Sequence, residues 1–254
     1  MRRAAAVIAL TLIAAVGCAS SSPSTSASTA SAAARQSVTV FAAASLTEAF
    51  TDEQAALPNL DVTYSFAGSD ALVTQIQNGA PADVIATASD ATMKTLIDAG
   101  LVETPTTFAR NQLEILVQPG NPKHIATIAD LARTDITFVT EAATVPAGKY
   151  AAQMLQAAGI TAHPVSEETD VKSAVARVTS GEADATVVYT TDVLAAGARG
   201  EGVEIPAAQN VIANYPIAVV KATTRHAAAL AFVNAILGSD GQANLERHGF
   251  LRAA

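Results

Sequence analysis

Four places in this chain set a serine, a proline-led turn or an aspartate where a β-rich run hands over to a helical pattern. They are Ser45, Ser69, Val145-Pro146-Ala147-Gly148 and Asp170-Val171. Ser and Asp are favoured N-caps, and Pro at the first helical position presets φ. A helix start exposes N–H groups with no internal partner and carries about half a positive charge, so it can hold an anion. In open α/β sheets such junctions lie at the carboxyl ends of the strands, where ligands bind. One junction alone implies nothing, because every helix has a start. Four that converged would form an anion site made of neutral dipoles, and convergence is not legible in a sequence.

The usual catalytic arrangements are missing. There is no G-x-S-x-G elbow to activate a serine, and Gly148-Lys149 lacks the glycine spacing of a phosphate loop. His124, His163, His226 and His248 stand far apart, with no H-E-x-x-H or i,i+4 pair, and read as surface or loop residues. The acid pairs Asp52-Glu53 and Glu167-Glu168 sit in polar stretches and read as solvated surface. Glycoside hydrolysis would need isolated carboxylates and aromatic subsites, and the chain has no Trp. Ferric binding by paired tyrosines finds no adjacent pair among Tyr64, Tyr150, Tyr189 and Tyr215.

The elements that must position these junctions alternate. Strand-like runs at Val38–Ala43, Asp61–Phe66, Asp83–Thr87, Leu113–Gln118, Ile136–Thr140, Ala185–Tyr189 and Ile217–Lys221 are interleaved with helical patterns. The helices are expected over Ser45–Leu57, Ser69–Asn78, Asp90–Ala99, Ile128–Ala132, Pro146–Ala158, Asp170–Ser180, Arg225–Leu237 and Gly241–His248, with a short extended segment near His163. Such alternation predicts an α/β fold with a mostly parallel sheet flanked by helices.

The 254 residues suffice for one large domain or two smaller ones. With 15 basic against 23 acidic residues the net charge is -8, so no basic excess exists to bind nucleic acid. Aromatic residues make up 4%, which argues against a stacking platform for bases or sugars. Met1-Arg2-Arg3, the apolar run Ala4–Val16 and Gly17-Cys18 describe an export signal over 1–17, too short to span a membrane. Cys18 is the only cysteine, so no intramolecular disulfide can form. Its position resembles that of the acylated residue of bacterial lipoproteins, although Ala15 stands where the lipobox usually has Leu; an ordinary cleaved signal is the alternative. Residues 18–37 are Ser/Thr/Ala-rich and read as a flexible tether. Without residues 1–17 the chain carries 13 basic and 23 acidic residues, a net -10.

Six blocks carry a resemblance: Val40-Phe-Ala-Ala-Ala-Ser-Leu-Thr47, Phe66-Ala-Gly-Ser69, Gly79-Ala-Pro-Ala-Asp-Val84, Val145-Pro-Ala-Gly-Lys-Tyr150, Val187-Val-Tyr189 and Gly249-Phe250. In this order, across about Val38 to Leu251, they resemble the ModA family, the molybdate-binding proteins of ABC-type molybdate importers. The resemblance implies a two-lobed type II periplasmic-binding-protein fold with the ligand between the lobes. Lobe one would hold 38–113 and 216–254, lobe two 114–215, with crossing strands near Leu113–Val117 and Tyr215–Val219. It further implies that Ser45, Ser69, Ala147, Val171 and Tyr189 bind molybdate, and also tungstate, through its oxygens, without direct protein–metal ligands or any cofactor. The implied partners are an importer permease and its ATPase. A monomer held by a lipid anchor at Cys18 on the outer face of the cytoplasmic membrane would supply them.

Several alternatives stay open in the sequence. Ser45 and Ser69 would serve equally as plain N-caps, and Tyr189 as a core residue with a satisfied hydroxyl. The same fold could serve sulfate or phosphate, a serine hydrolase could use Ser45 or Ser69, and the cleft could be vestigial. Asp70 stands where the family often has a hydroxyl residue. Facing inward it would oppose a dianion by about 1–4 kcal/mol at 4 Å; facing outward it would complement the helix dipole; as an acceptor it would suit a protonated anion.

Overall fold

The computed structural model describes residues 35–253. The expected signal peptide, Cys18 and nearly all of the expected tether lie outside the described residues. Strand pairing starts before the expected tether ends, since Gln36 and Ser37 already pair with Leu60 and Asp61. In chain order the strands are β1 Gln36–Ala43, β2 Leu60–Ala67, β3 Val84–Ala86, β4 Thr106–Val117, β5 Val139–Glu141, β6 Ser166–Glu168, β7 Ala185–Tyr189, β8 Glu201–Glu204, β9 Ile212–Val219 and β10 Leu251–Arg252. The α-helices are α1 Thr47–Glu53, α2 Ser69–Gln77, α3 Asp90–Asp98, α4 Pro146–Ala157, α5 Val171–Thr179, α6 Thr190–Ala196, α7 His226–Leu237 and α8 Ser239–Arg247.

The first sheet runs β10-β4-β9-β3-β1-β2. β1, one strand in from the β2 edge, pairs in parallel with β2 and β3, whereas β9 runs antiparallel to β3 and β4. The second sheet is built on the far half of β4, where Leu113–Val117 pairs antiparallel with β7 and Glu114–Val117 with β8. β5 and β6 form a parallel pair joined to β7 by a bridge from Phe138 to Ala185. The sheets are therefore mixed rather than mostly parallel. Hydrophobic patterning reports which faces are buried and is blind to strand direction.

β4 is the element the two sheets share. It leaves β9 after Gln112 and meets β7 at Leu113. At that step the Asn210 amide replaces a strand neighbour: its Oδ1 accepts from Leu113 N at 3.0 Å and its Nδ2 donates to Leu113 O at 2.8 Å. β4 begins seven residues before the expected run, and β9 begins five residues before Ile217. The β9 boundary was hidden by Pro216, which argues against a central strand in sequence. Here Pro216 pairs with Thr107 beside a β-bulge between Thr107 and Ala109, the kind of irregularity that tolerates proline. The extended segment expected near His163 lies at Ser166–Glu168, while α6, β8 and β10 had no counterpart in the sequence reading.

Aromatic side chains are few and gathered inside. Phe50 contacts Tyr64, Phe108 and Phe232, and Tyr215 packs edge-on against Phe108, Tyr189 and Phe250. Phe250 reaches Tyr215 because Gly249, at φ +86°, reverses the chain after α8 in a conformation that disfavours side chains.

Asp83, from the Gly-Ala-Pro-Ala-Asp block, is a buried structural tie. One carboxylate oxygen accepts from Thr39 N at 2.6 Å and pairs with Arg225 Nη2 at 2.8 Å; the other accepts from Thr223 Oγ1 and Arg225 Nε. It thereby fastens the segment before α7 to β1 and β3. Asp83→Asn is expected to lower unfolding free energy by about 2–3 kcal/mol, read as a lower urea midpoint at unchanged slope.

Candidate functional site

The carboxyl ends of β1, β2 and β7 and the starts of α2, α4 and α5 meet around one small cavity. Ala43, Ala44 and Ser45 enter from β1, Ala67, Gly68 and Ser69 from β2, and Ala88 from the turn after β3. From the second sheet come Val145, Pro146, Ala147, Asp170, Val171 and Tyr189. All five residues expected from the sequence, Ser45, Ser69, Ala147, Val171 and Tyr189, line this cavity, and none is more than 4% exposed. The cavity is small, with room for about one water molecule.

The local sequence explains why donors face inward. Pro146 opens α4 and has no N–H, so Ala147 offers the first free amide; Lys149 N already bonds Val145 O. Asp170 caps α5 by accepting from Ser173 N at 2.9 Å, leaving Val171 N without a partner inside the helix. Gly148 is dictated by space: a Cβ there would lie 2.3 Å from Glu141 O, so only glycine lets the start of α4 settle on the end of β5.

Ser45 and Ser69 are not N-caps. Ser45 lies within a 3-10 turn over Ala44–Leu46 whose N-cap is Ala43, and the N-cap of α2 is Gly68. Their hydroxyls are engaged elsewhere. Ser69 Oγ accepts from Ala88 N at 3.1 Å, which leaves its own hydrogen free, and Ser45 Oγ lies 2.8 Å from Tyr215 Oη. The Tyr189 hydroxyl is buried near that of Tyr215 but meets no partner in full hydrogen-bond geometry among the described residues, and burial raises its pKa well above the usual phenol value. It is therefore a protonated donor awaiting an acceptor.

Among the described residues no Lys or Arg lines the cavity, so its electrostatics depend on how the nearby acids are held. Asp170 is occupied by its cap. Asp192 is fully buried on α6 and lies 3.0 Å from Lys172 Nζ. Burial alone would depress the Lys172 ammonium, but Asp192 and Glu48 overcome it and hold its pKa above the usual value. Lys172 also donates to Glu48 Oε2 at 2.6 Å, joining α5 to α1 and hence the second sheet's side of the cavity to the first. Glu141 ends β5 fully buried with both carboxyl oxygens unpartnered, and burial, reinforced by Asp192, Asp170 and Glu168, pushes its pKa to about 8. It is mostly neutral at pH 7.

Asp70 does not line the cavity. It faces the neighbouring groove with Thr74, Ser89 and Lys149, and its Oδ1 is buried without a partner close to Gly68. Gly68 itself is a point of close approach, because a Cβ there would come within 2.6 Å of Thr169 O from the opposite side. The sequence reading missed Gly68, Glu48, Lys172, Glu141 and the partners behind Ser45. Only the Phe-Ala-Gly-Ser block held a signal, through a glycine for which no turn was needed.

Comparison with known proteins places this geometry. The family model described as bacterial extracellular solute-binding protein matches residues 38–251. The molybdate-binding protein ModA of Mycobacterium tuberculosis is 40% identical over 251 residues, covering 97% of this chain and 96% of its own. Among solved structures, the periplasmic molybdate-binding protein of Azotobacter vinelandii superposes with a TM-score of 0.74 at 21% identity, covering 85% of this chain and 100% of its own. The sulfate-binding protein SubI of Mycobacterium tuberculosis gives a TM-score of 0.77 at 22% identity, covering 86% of this chain and 88% of its own. The two structures share the α/β fold described above.

Glu141 sets a pH dependence of stability. Its folded pKa of about 8 lies above the usual 4.5, so the folded chain retains a proton that the unfolded chain has released. The stability it contributes is complete below pH 4.5 and is lost as pH rises towards 8. Glu141→Gln removes this loss. The unfolding free energy of the variant relative to the natural chain is expected to rise between pH 5 and pH 8, by about 3–4 kcal/mol, as measured by urea titrations at each pH.

Proposed function

The chain belongs to the bacterial extracellular solute-binding proteins, and on that premise we propose that its cavity captures a tetrahedral oxyanion, molybdate and also tungstate, for delivery to an ABC importer. The observation that carries this reading is the convergence of Ser45, Ser69, Ala147, Val171 and Tyr189 on one small cavity whose lining, among the described residues, includes the unpartnered Tyr189 hydroxyl and no basic side chain. A doubly charged anion loses much hydration energy on entry. Several charge-assisted hydrogen bonds, each worth about 1.5–3 kcal/mol net, offset that loss. The 40% identical ModA protein supports molybdate as the ion.

The ligand's oxygens are met from both sides, so binding and closure are one event. We divide the body into lobe one, 38–113 with 216–254, and lobe two, 114–215, with β4 and the chain entering β9 as the crossings. Gly68 against Thr169 and Glu48 against Lys172 are then contacts of the closed form. Neither serine hydroxyl bonds a histidine, lysine or carboxylate, so no base activates it for hydrolysis, and the reading is of a binder without cofactor. The loaded monomer meets a permease driven by an ATPase. Acylation of Cys18 would confine it near that partner and raise the encounter frequency.

Sulfate offers the same charge and acceptor set, and the sulfate-binding structure has the same fold. Cavity size must then discriminate. Calorimetry with molybdate, tungstate, sulfate and hydrogen phosphate is expected to give tight binding of the first two only. Tight sulfate binding without molybdate heat overturns the choice of ion. Replacing both Ser45 and Ser69 with Ala is expected to abolish the molybdate heat, and retained affinity would sink the site assignment. Gly68→Ala tests closure. It should weaken molybdate binding by about tenfold or more, because the added methyl meets Thr169 O when the sides approach; the ligand-free unfolding midpoint should change little, since the other atom it meets, Asp70 Oδ1 at 2.8 Å, ends a side chain that can turn away.

A further inference from the structure

Behind the cavity, hydrogen-bond directions can be assigned by counting donors and acceptors. Asn111 on β4 is fully buried, and its Oδ1 accepts from Gln112 N at 3.0 Å. The opposite amide orientation would set Nδ2 against that N–H, donor facing donor, so the orientation is fixed. Asn111 Nδ2 must therefore donate, and it reaches Thr191 Oγ1 at 2.9 Å and Tyr215 Oη at 3.5 Å. Around the Tyr215 hydroxyl stand Asn111 Nδ2 as a donor, the Tyr189 hydroxyl, and Ser45 Oγ at 2.8 Å, where either oxygen could donate. Ser45 Oγ is the shortest of these contacts, and it takes the Tyr215 hydrogen when Tyr189 turns its own hydrogen to the cavity. Burial holds the Tyr215 pKa far above the usual phenol value, so that hydrogen is always present. A Ser45 oxygen that accepts from Tyr215 keeps its single hydrogen for the cavity.

We propose that Tyr215, held by Asn111, is a positioning residue that makes Ser45 an obligatory donor to the bound anion and thereby biases the cavity towards oxyanions bearing no proton on the oxygen facing Ser45. The assignment rests on the oxyanion reading and adds specificity to it. Size separates one fully ionised oxyanion from another; hydrogen-bond direction separates fully ionised from protonated ones. A hydrogen phosphate whose protonated oxygen faced Ser45 would set hydrogen against hydrogen, the kind of mismatch that desolvated sites reject strongly. Tyr215 lies on β9 and Asn111 on β4, strands paired with each other in the first sheet just before β4 passes to the second, so the bias is built in next to that passage.

The test is a double-mutant cycle on molybdate binding followed by calorimetry. Tyr215→Phe keeps the ring contacts with Tyr189 and Phe250 and deletes the hydroxyl. It is expected to weaken molybdate binding by about tenfold when Ser45 is present. In a Ser45→Ala background, where the remaining donors still bind the ion, the same substitution should change affinity by less than about twofold. Tyr215→Phe should also narrow the preference for molybdate over hydrogen phosphate, because Ser45 can then turn and accept. Asn111→Leu, which keeps the volume and removes the donor, should show the same pattern with a smaller loss, and it carries the test if Tyr215→Phe does not accumulate. Equal losses in both serine backgrounds would mean a merely structural role and overturn the assignment. No molybdate binding by the unsubstituted chain would overturn the oxyanion reading beneath it.

Discussion

An anion taken out of water must find hydrogen-bond donors on every side, and the rest of this structure follows from that requirement. Water solvates a dianion from all directions, and a low-dielectric cavity that replaces it incompletely would not hold the ion. A basic side chain would supply the charge, but as a mobile point source without fixed direction. Backbone N–H groups at helix starts and hydroxyls at strand ends have fixed directions, and they can surround an ion only if several elements end at one place. The junction of two sheets on β4 brings that about: β1 and β2 contribute from one side, α4, α5 and β7 from the other.

The acids around the cavity illustrate the same requirement from the opposite sign. Asp170, Asp192 and Glu141 are all close enough to raise the energy of an anion, and each is neutralised differently. Asp170 spends its charge on a helix cap, Asp192 is matched by Lys172, and Glu141 is kept protonated by burial. The Lys172 ammonium also reaches Glu48 on α1, away from the cavity, so one cation both balances a buried acid and ties the two sides. Net charge is therefore a poor guide to this site. An acidic chain holds a neutral, donor-rich pocket because the local pairing, and not the sum, sets the field at the ion.

Much of the site was legible in the residues. The Val-Pro-Ala-Gly turn announces a helix start with its first free amide at Ala147, and Asp170 caps α5 as an aspartate at that junction should. Ser45 and Ser69 were placed at the right junctions for a reason that proved incomplete. Capping explains serine before a helix, whereas here the caps are Ala43 and Gly68, and the hydroxyls bond Tyr215 and Ala88. Those partners are 170 and 19 residues away, separations that no local rule reaches. The mixed sheet was missed for a related reason: an apolar run records burial on a face and says nothing about the direction of its neighbour. Pro216 concealed half of β9 because its tolerance depends on a bulge in β4, another distant fact.

The sequence by itself determined the alternation of strands and helices, the acidic balance, the lack of a catalytic constellation and the kind of group each junction would present. These are properties of short segments, written in hydrophobic period, turn chemistry and capping residues. Tertiary structure alone decided that the junctions converge, that Gly68 must be bare to face Thr169, that Glu141 stays protonated and that Ser45 is held against Tyr215. Each of those depends on distance and burial between segments far apart in the chain. Hydrogen-bond direction and desolvation are set by what surrounds a group, and only the packed fold supplies the surroundings.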